Sequence, residues 1–200
     1  MGTFDVEPVV LSGRLVRLEP LRNEHADALA VAAEDPALFR WYAIRLDGPE
    51  DIKAWLREGV ADGERGASLP FATIEQRAGR VIGCTRFGNI DRHNLRVEIG
   101  WTWLLREWQR TGANREAKYL MLRHAFETWG VRRVEFKTHA ANVQSRQALA
   151  GLGAVEEGTL RKHMVMPDGS ARDSVYFSII DTEWADVKAR LEQRMLMGAH

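Results

Sequence analysis

Residues Trp101 to Arg123 read WTWLLREWQRTGANREAKYLMLR. The stretch begins as the end of a strand, passes through the polar loop Gln109-Arg110-Thr111-Gly112-Ala113-Asn114, and continues as a helix predicted over residues 113–129. A strand that hands a glycine-bearing loop to a helix N-terminus makes an anion site. The first N–H groups of the helix have no intrahelical acceptor, and the helix dipole adds partial positive charge there. If this loop holds a phosphate or pyrophosphate, the rest of the chain must supply the partner substrate and the chemistry.

Upstream, Leu95 to Leu104 alternates as a half-buried strand should. Leu95, Val97, Ile99, Trp101 and Trp103 are expected on one face, and Arg96, Glu98, Gly100 and Thr102 on the other. Downstream, Gly130 suits a helix C-terminus, and Val131 to Thr138 reads as a strand. Strand, helix and strand in this order form a βαβ unit, so the two strands are expected to be parallel. Asn142 is placed to cap a helix from Val143 to Leu152. Pro167-Asp168-Gly169-Ser170 is the clearest turn signal in the chain, joining strands at Thr159–Met166 and Ala171–Ile180. A helix over Asp181–Met197 follows.

The N-terminal half reads as a lead-in to Ser12, a strand at Arg14–Glu19 and a helix at Asn23–Ala33. Asp35-Pro36 signals a second short helix, with Asp35 as cap, carrying Phe39, Trp41 and Tyr42. A third helix over Glu50–Gly63 has Ile52, Trp55, Leu56 and Val60 at helical spacing. Phe71–Gln76 and Arg80–Gly88 then form a hairpin about Gly79, and Asn89–Asn94 reads as a polar loop.

The 200 residues suit one domain of ordinary size, with a core from about residue 11 to residue 184. Hydrophobic residues make up 45% and charged residues 28%, which describes a soluble globular protein. The 28 basic residues balance the 28 acidic ones, which argues against nucleic acid as the main partner. No apolar run is long enough to span a membrane. The single Cys84 allows no internal disulfide and no cysteine metal cluster, pointing to a reducing cytoplasm.

Four strings give the chain a family likeness: Gly13-Arg14-Leu15-Val16-Arg17-Leu18, Val97-Glu98-Ile99-Gly100-Trp101, Gln109 to Ala117, and Asn142-Val143-Gln144-Ser145-Arg146 with Leu152-Gly153-Ala154. Together they resemble the GNAT superfamily of acyl-CoA-dependent N-acyltransferases, and most closely the branch of ribosomal-protein N-terminal acetyltransferases. The resemblance implies an α/β (α+β) fold: a mixed, mostly antiparallel sheet flanked by helices, with a parallel strand pair that splays to admit the cofactor. It implies acetyl-CoA as co-substrate and an amine acceptor, a protein N-terminus or a small molecule, and it allows a homodimer.

Residue by residue, the resemblance assigns Gln109, Arg110, Thr111, Gly112, Ala113, Asn114 and Arg115 to the pyrophosphate of coenzyme A. The backbone near Trp103 and Leu104, with Asn142, falls to the pantetheine arm. Arg146 falls to the adenosine 3′-phosphate end. Glu98 takes the place of the general base, Ser145 lies near the thiol, and Trp41 and Tyr42 line the acceptor side. Two departures from the family pattern stand out. Arg110 and Asn114 occupy positions where small residues are common, and Leu149 stands where many relatives have a tyrosine that protonates the departing thiolate. Each assignment has a plainer counterpart: an ordinary strand-to-helix loop, a Glu98 paired with an arginine, core aromatics at Trp41 and Tyr42. Two other functions fit the same residues, a non-catalytic acyl-CoA-binding domain and a protein-interaction module.

Overall fold

The computed structural model describes residues 4–197. Eight strands form its sheet: β1 (Leu11–Ser12), β2 (Val16–Pro20), β3 (Leu69–Glu75), β4 (Val81–Asp91), β5 (Arg96–Leu104), β6 (Arg133–His139), β7 (Val155–Val165) and β8 (Ala171–Ile180). Their spatial order is β1-β2-β3-β4-β5-β6-β8-β7. Every pair is antiparallel except β5 and β6. That parallel pair is short: Arg96, Val97 and Glu98 meet Arg133, Val134 and Glu135, and beyond Glu98 the strands part. The expected mixed α/β sheet with a splayed parallel pair is therefore the observed one.

Helices α1 (Ala26–Ala30), α2 (Pro49–Glu64), α3 (Ala113–Arg123), α4 (Val143–Leu152) and α5 (Trp184–Met197) cover the sheet. Alternation along the strands sends side chains into two cores. Val97, Ile99, Val134, Phe136, Val175 and Phe177 meet Leu120, Met121 and Leu122 of α3 and Trp184 of α5. On the other face, Ala72, Ile74, Cys84 and Trp103 meet Leu29, Ile52, Trp55 and Leu56 of α1 and α2. This second core contains no residue of β6 or β8. On those strands the same face carries Glu135, Lys137, His139, Arg172, Ser174 and Tyr176, left uncovered by α1 and α2.

Several expectations change. Strict alternation in β5 fails at Trp101, which has φ of +51°. The β4–β5 register shifts there, with Cys84 opposite Trp103 but Arg86 opposite Gly100. One extra residue on β5 makes a bulge. Trp101 and Trp103 consequently turn toward the α1/α2 core, away from Val97 and Ile99. Gly88, opposite Glu98, makes room for the Trp101 ring: a Cβ there would lie 2.5 Å from it.

The predicted second helix is only a 3₁₀ turn, Pro36–Phe39, and Trp41 and Tyr42 lie beyond it. The Trp41 carbonyl accepts from Arg172 Nη1 (3.0 Å), and its ring meets His139 at 4.8 Å between centroids, so tertiary contacts take the backbone out of the helix. Asp35 makes no cap; it receives a two-pronged bond from Arg106 (2.7 and 2.8 Å). The first predicted helix is interrupted by 3₁₀ turns around α1, and β4 runs on through Asp91 where a loop was expected. β7 begins at Val155, four residues before the predicted start, and the lead-in adds the small strand β1.

Candidate functional site

The loop before α3 has the backbone that the sequence led one to expect, reached in an unexpected way. Gly112 caps the helix with φ of +95°, and Arg110 also takes a left-handed conformation at +63°. Glycine enters that region freely, whereas an arginine there costs about 1–2 kcal/mol. The backbone shape that a small residue would favour is thus kept despite Arg110. Thr111 Oγ1 ties the loop down by donating to the Trp108 carbonyl (2.8 Å) and accepting from Ala113 N (3.3 Å). Among the described residues, the N–H groups of Arg110, Thr111, Gly112, Asn114 and Arg115 have no protein acceptor. Asn114 Oδ1 and Trp108 Nε1 are buried and equally without partners. A ring of free backbone donors at a helix N-terminus, beside orphaned polar atoms, fits a bound anionic group.

What holds α3 there is Glu116. Its carboxylate accepts from the backbone N–H of Arg14 (2.9 Å), Leu15 (2.6 Å) and Val16 (2.7 Å). A Cβ on Gly13 would sit 2.6 Å from the Glu116 Cδ, which explains the glycine in that first string. Glu116 is buried and fastens the β1–β2 turn to α3.

Across the splay, Asn142 caps α4 as expected, its Oδ1 accepting from Ser145 N (3.0 Å). Gln144 Nε2 donates to Gln109 Oε1 (3.2 Å), so the start of α4 and the loop after β5 meet over the gap between the strands. Gln109 Nε2 occupies the Leu104 carbonyl (3.2 Å). Arg146 is held by the Ala140 carbonyl (3.3 Å) and Glu156 (3.0 Å). The Trp103 side chain is core, with its Nε1 buried and unpartnered. Leu149 is packed into the core, so no polar group replaces the tyrosine of many relatives.

Glu98 lies at the root of the splay, 3% exposed. Asn89 Nδ2 donates to its Oε2 (2.7 Å), and Lys137 Nζ stands 3.6 Å from the same oxygen. Its Oε1 has no donor among the described residues and lies over Gly100, where a Cβ would be only 3.2 Å away. Glu98 also lines a cleft of about 690 Å³ with Asn89, Arg96, Glu135 and Tyr176. Burial and the charges of Glu98 and Glu135 push the Tyr176 hydroxyl up from its ordinary value. Tyr42 lines a separate cleft of about 450 Å³ beside the β7–β8 turn, and its buried hydroxyl has no partner. Trp41 lies instead against His139 on the uncovered face.

The sequence reading missed Asn89, Lys137, Arg172 and Gln144 as neighbours of these groups. The face pattern of β6 and β8, with polar residues at alternate positions, signals Lys137 and Arg172; Asn89 on β4 and Gln144 on α4 carry no such signal.

Known proteins share this sequence pattern and fold. A solved GCN5-related N-acetyltransferase from Brucella melitensis shares 32% identity, with a TM-score of 0.86 over 94% of this chain and 85% of that one. The ribosomal-protein-serine acetyltransferase of Escherichia coli is 27% identical over 138 residues, 69% of this chain and 75% of its own. The FsC-acetyl coenzyme A-N(2)-transacetylase of Aspergillus fumigatus is 26% identical over 196 residues, 91% of this chain and 80% of its own. The model of the acetyltransferase (GNAT) domain matches residues 15–155, spanning β2, Glu98, the loop and α4, and so the chain belongs to the GNAT family of acetyltransferases.

Proposed function

We propose that the protein transfers an acetyl group from acetyl-CoA to a primary amine, by direct attack within a ternary complex. One observation carries this reading. The free N–H groups of the Arg110–Arg115 loop, joined to α4 through Gln144 and Gln109, stand at one end of the β5–β6 splay, and Glu98 stands at its root. The loop would bind the pyrophosphate, with Arg110 and Arg115 adding charge. Asn142 and the unpaired edge of β5 near Trp103 and Leu104 would receive the pantetheine arm, and Arg146 the adenosine end. The Leu104 carbonyl becomes available once Gln109 releases it.

Bound acetyl-CoA supplies the thioester carbonyl and a thiolate leaving group. The amine must lose a proton as it attacks, and Glu98 Oε1, unengaged while Oε2 is held by Asn89 and Lys137, is the acceptor for it. Ser145, at the start of α4, or a water would take the place of the missing tyrosine. A thiolate leaves readily, so strong acid assistance is not required. Trp41, against His139, would bound the acceptor side, whereas Tyr42 packs against the α1/α2 core beside a separate cleft. The names of two relatives, one acting on a ribosomal protein and one a coenzyme A transacetylase, suit an amine acceptor and this donor.

Thiol release from acetyl-CoA with a panel of amines and N-terminal peptides tests the proposal. Turnover by the wild type, lowered on the order of 100-fold or more in Glu98→Gln, is expected. Leu149 in the tyrosine position favours one rival, an acyl-CoA-binding domain without catalysis. That rival predicts acetyl-CoA binding with no acceptor turned over.

A further inference from the structure

Arg172 is the anomaly of the uncovered sheet face. It is 7% exposed, yet among the described residues no carboxylate oxygen lies within 4.0 Å of its guanidinium. Arg86, just as buried, is paired with Asp62 at 3.2 Å. Buried arginines without a counter-charge are costly and uncommon. Arg172 spends one N–H on Ser174 Oγ (3.2 Å) and one on the Trp41 carbonyl (3.0 Å), which leaves most of its five donors unused.

Its surroundings belong to the reaction side of the sheet. Ser174, beneath it on β8, is opposite His139 of β6, and Tyr176 is opposite Lys137, the residue beside Glu98. Trp41 lies across His139. The charge of Glu98 is felt at Arg172 and opposes the effect of burial there. Arg172 therefore lies on the same sheet face as Lys137 and Tyr176, the first beside Glu98 and the second lining the cleft with it.

We propose that Arg172 is the binding residue for a carboxylate at the acyl-transfer end of the cleft. The inference rests on the acetyl-transfer reading above. An amine directed at Glu98 and a carboxylate directed at Arg172 describe an amino-acid-like acceptor. The same carboxylate can instead be carried by the acyl group of a dicarboxylic acyl-CoA. A planar two-oxygen anion matches the guanidinium fork. A dianionic phosphate matches less well, because the nearby Lys137 is already committed to Glu98.

The test pairs charged and neutral ligands against wild type, Arg172→Gln and Arg172→Lys. In the first arm, free amino acids are compared with their carboxamides by thiol release from acetyl-CoA. In the second, succinyl-CoA is compared with butyryl-CoA, using one neutral amine. In both arms, binding is also measured by calorimetry: N-acetyl amino acids against N-acetyl amino acid amides with coenzyme A present, and the two acyl-CoAs alone. The proposal expects the wild type to prefer the carboxylate partner in one arm. Arg172→Gln should reduce that partner on the order of 10- to 100-fold while the neutral partner changes less than about threefold. Arg172→Lys should restore part of the preference. The arm that responds names the source of the carboxylate. Equal losses for both partners would mean that Arg172 only holds Trp41, and would overturn the proposal, as would a wild type indifferent to the carboxylate in both arms. Carboxylate-selective binding without thiol release would uphold Arg172 as the site while removing the acetyl-transfer reading.

Discussion

At the scale of single residues, Glu98 and Lys118 show how burial gives charged groups opposite meanings. Glu98 keeps one oxygen in a fixed network and the other over Gly100. Gly100→Ala would push a methyl group to within 3.2 Å of Oε1. It should lower kcat on the order of 10-fold with little effect on acetyl-CoA affinity, as read from steady-state kinetics beside calorimetry. Lys118 takes no part in that site. It is buried between β4, β5 and α3, where Thr85 and Thr102 accept from its Nζ. Burial lowers its pKa from 10.5 to about 7. Between those values the unfolded chain binds more proton than the folded one, so stability rises with pH across that window and the penalty is complete below it. Lys118→Met should raise Tm at pH 6 and lose most of that advantage by pH 10. A gain independent of pH, in melts across this range, would contradict it. Glu98 was legible because period-two alternation fixes its face. Arg172 was not, because its anomaly lies in the absence of a partner, and partners arrive from residues far away in sequence.

At the scale of elements, α3 and β5 divide what local sequence can and cannot show. The loop-to-helix transition at Gly112 was legible, since glycine before an apolar helical run has a local cause. The bulge at Trp101 was not. Tryptophan carries no signal for positive φ, and the conformation is imposed by the register with β4 and the open space over Gly88. Nor was the burial of Glu116, whose three donors come from a turn about a hundred residues earlier. Glu116→Ala would leave those N–H groups without their acceptor, at a cost of about 2–4 kcal/mol. Urea unfolding should show that loss. Because the turn and the loop share the α3 terminus, acetyl-CoA affinity should weaken as well, and an unchanged affinity would separate the two.

At the scale of the whole molecule, one topological feature organises the rest. The sheet holds together on both sides of β5 and β6, while those two strands remain paired for only three residues. Helices α1 and α2 pack on β3 to β5 and do not reach the polar face of β6 and β8. On the proposed reading, the splay has a donor end at the α3 loop and a reacting end at Glu98. The βαβ pattern made the parallel pair legible from sequence; the extent of its pairing is a tertiary property. The central claim is that the α3 loop holds the donor, and calorimetric titration of acetyl-CoA into wild type and Gly112→Trp tests it most directly. Gly112 has φ of +95° and only Leu15 within 4 Å of its missing Cβ, so the substitution acts by straining the loop backbone and crowding its free N–H groups. The account predicts saturable binding by the wild type and a loss on the order of 100-fold in a variant that still melts cooperatively. No binding by the wild type, or equal binding by both, would contradict it.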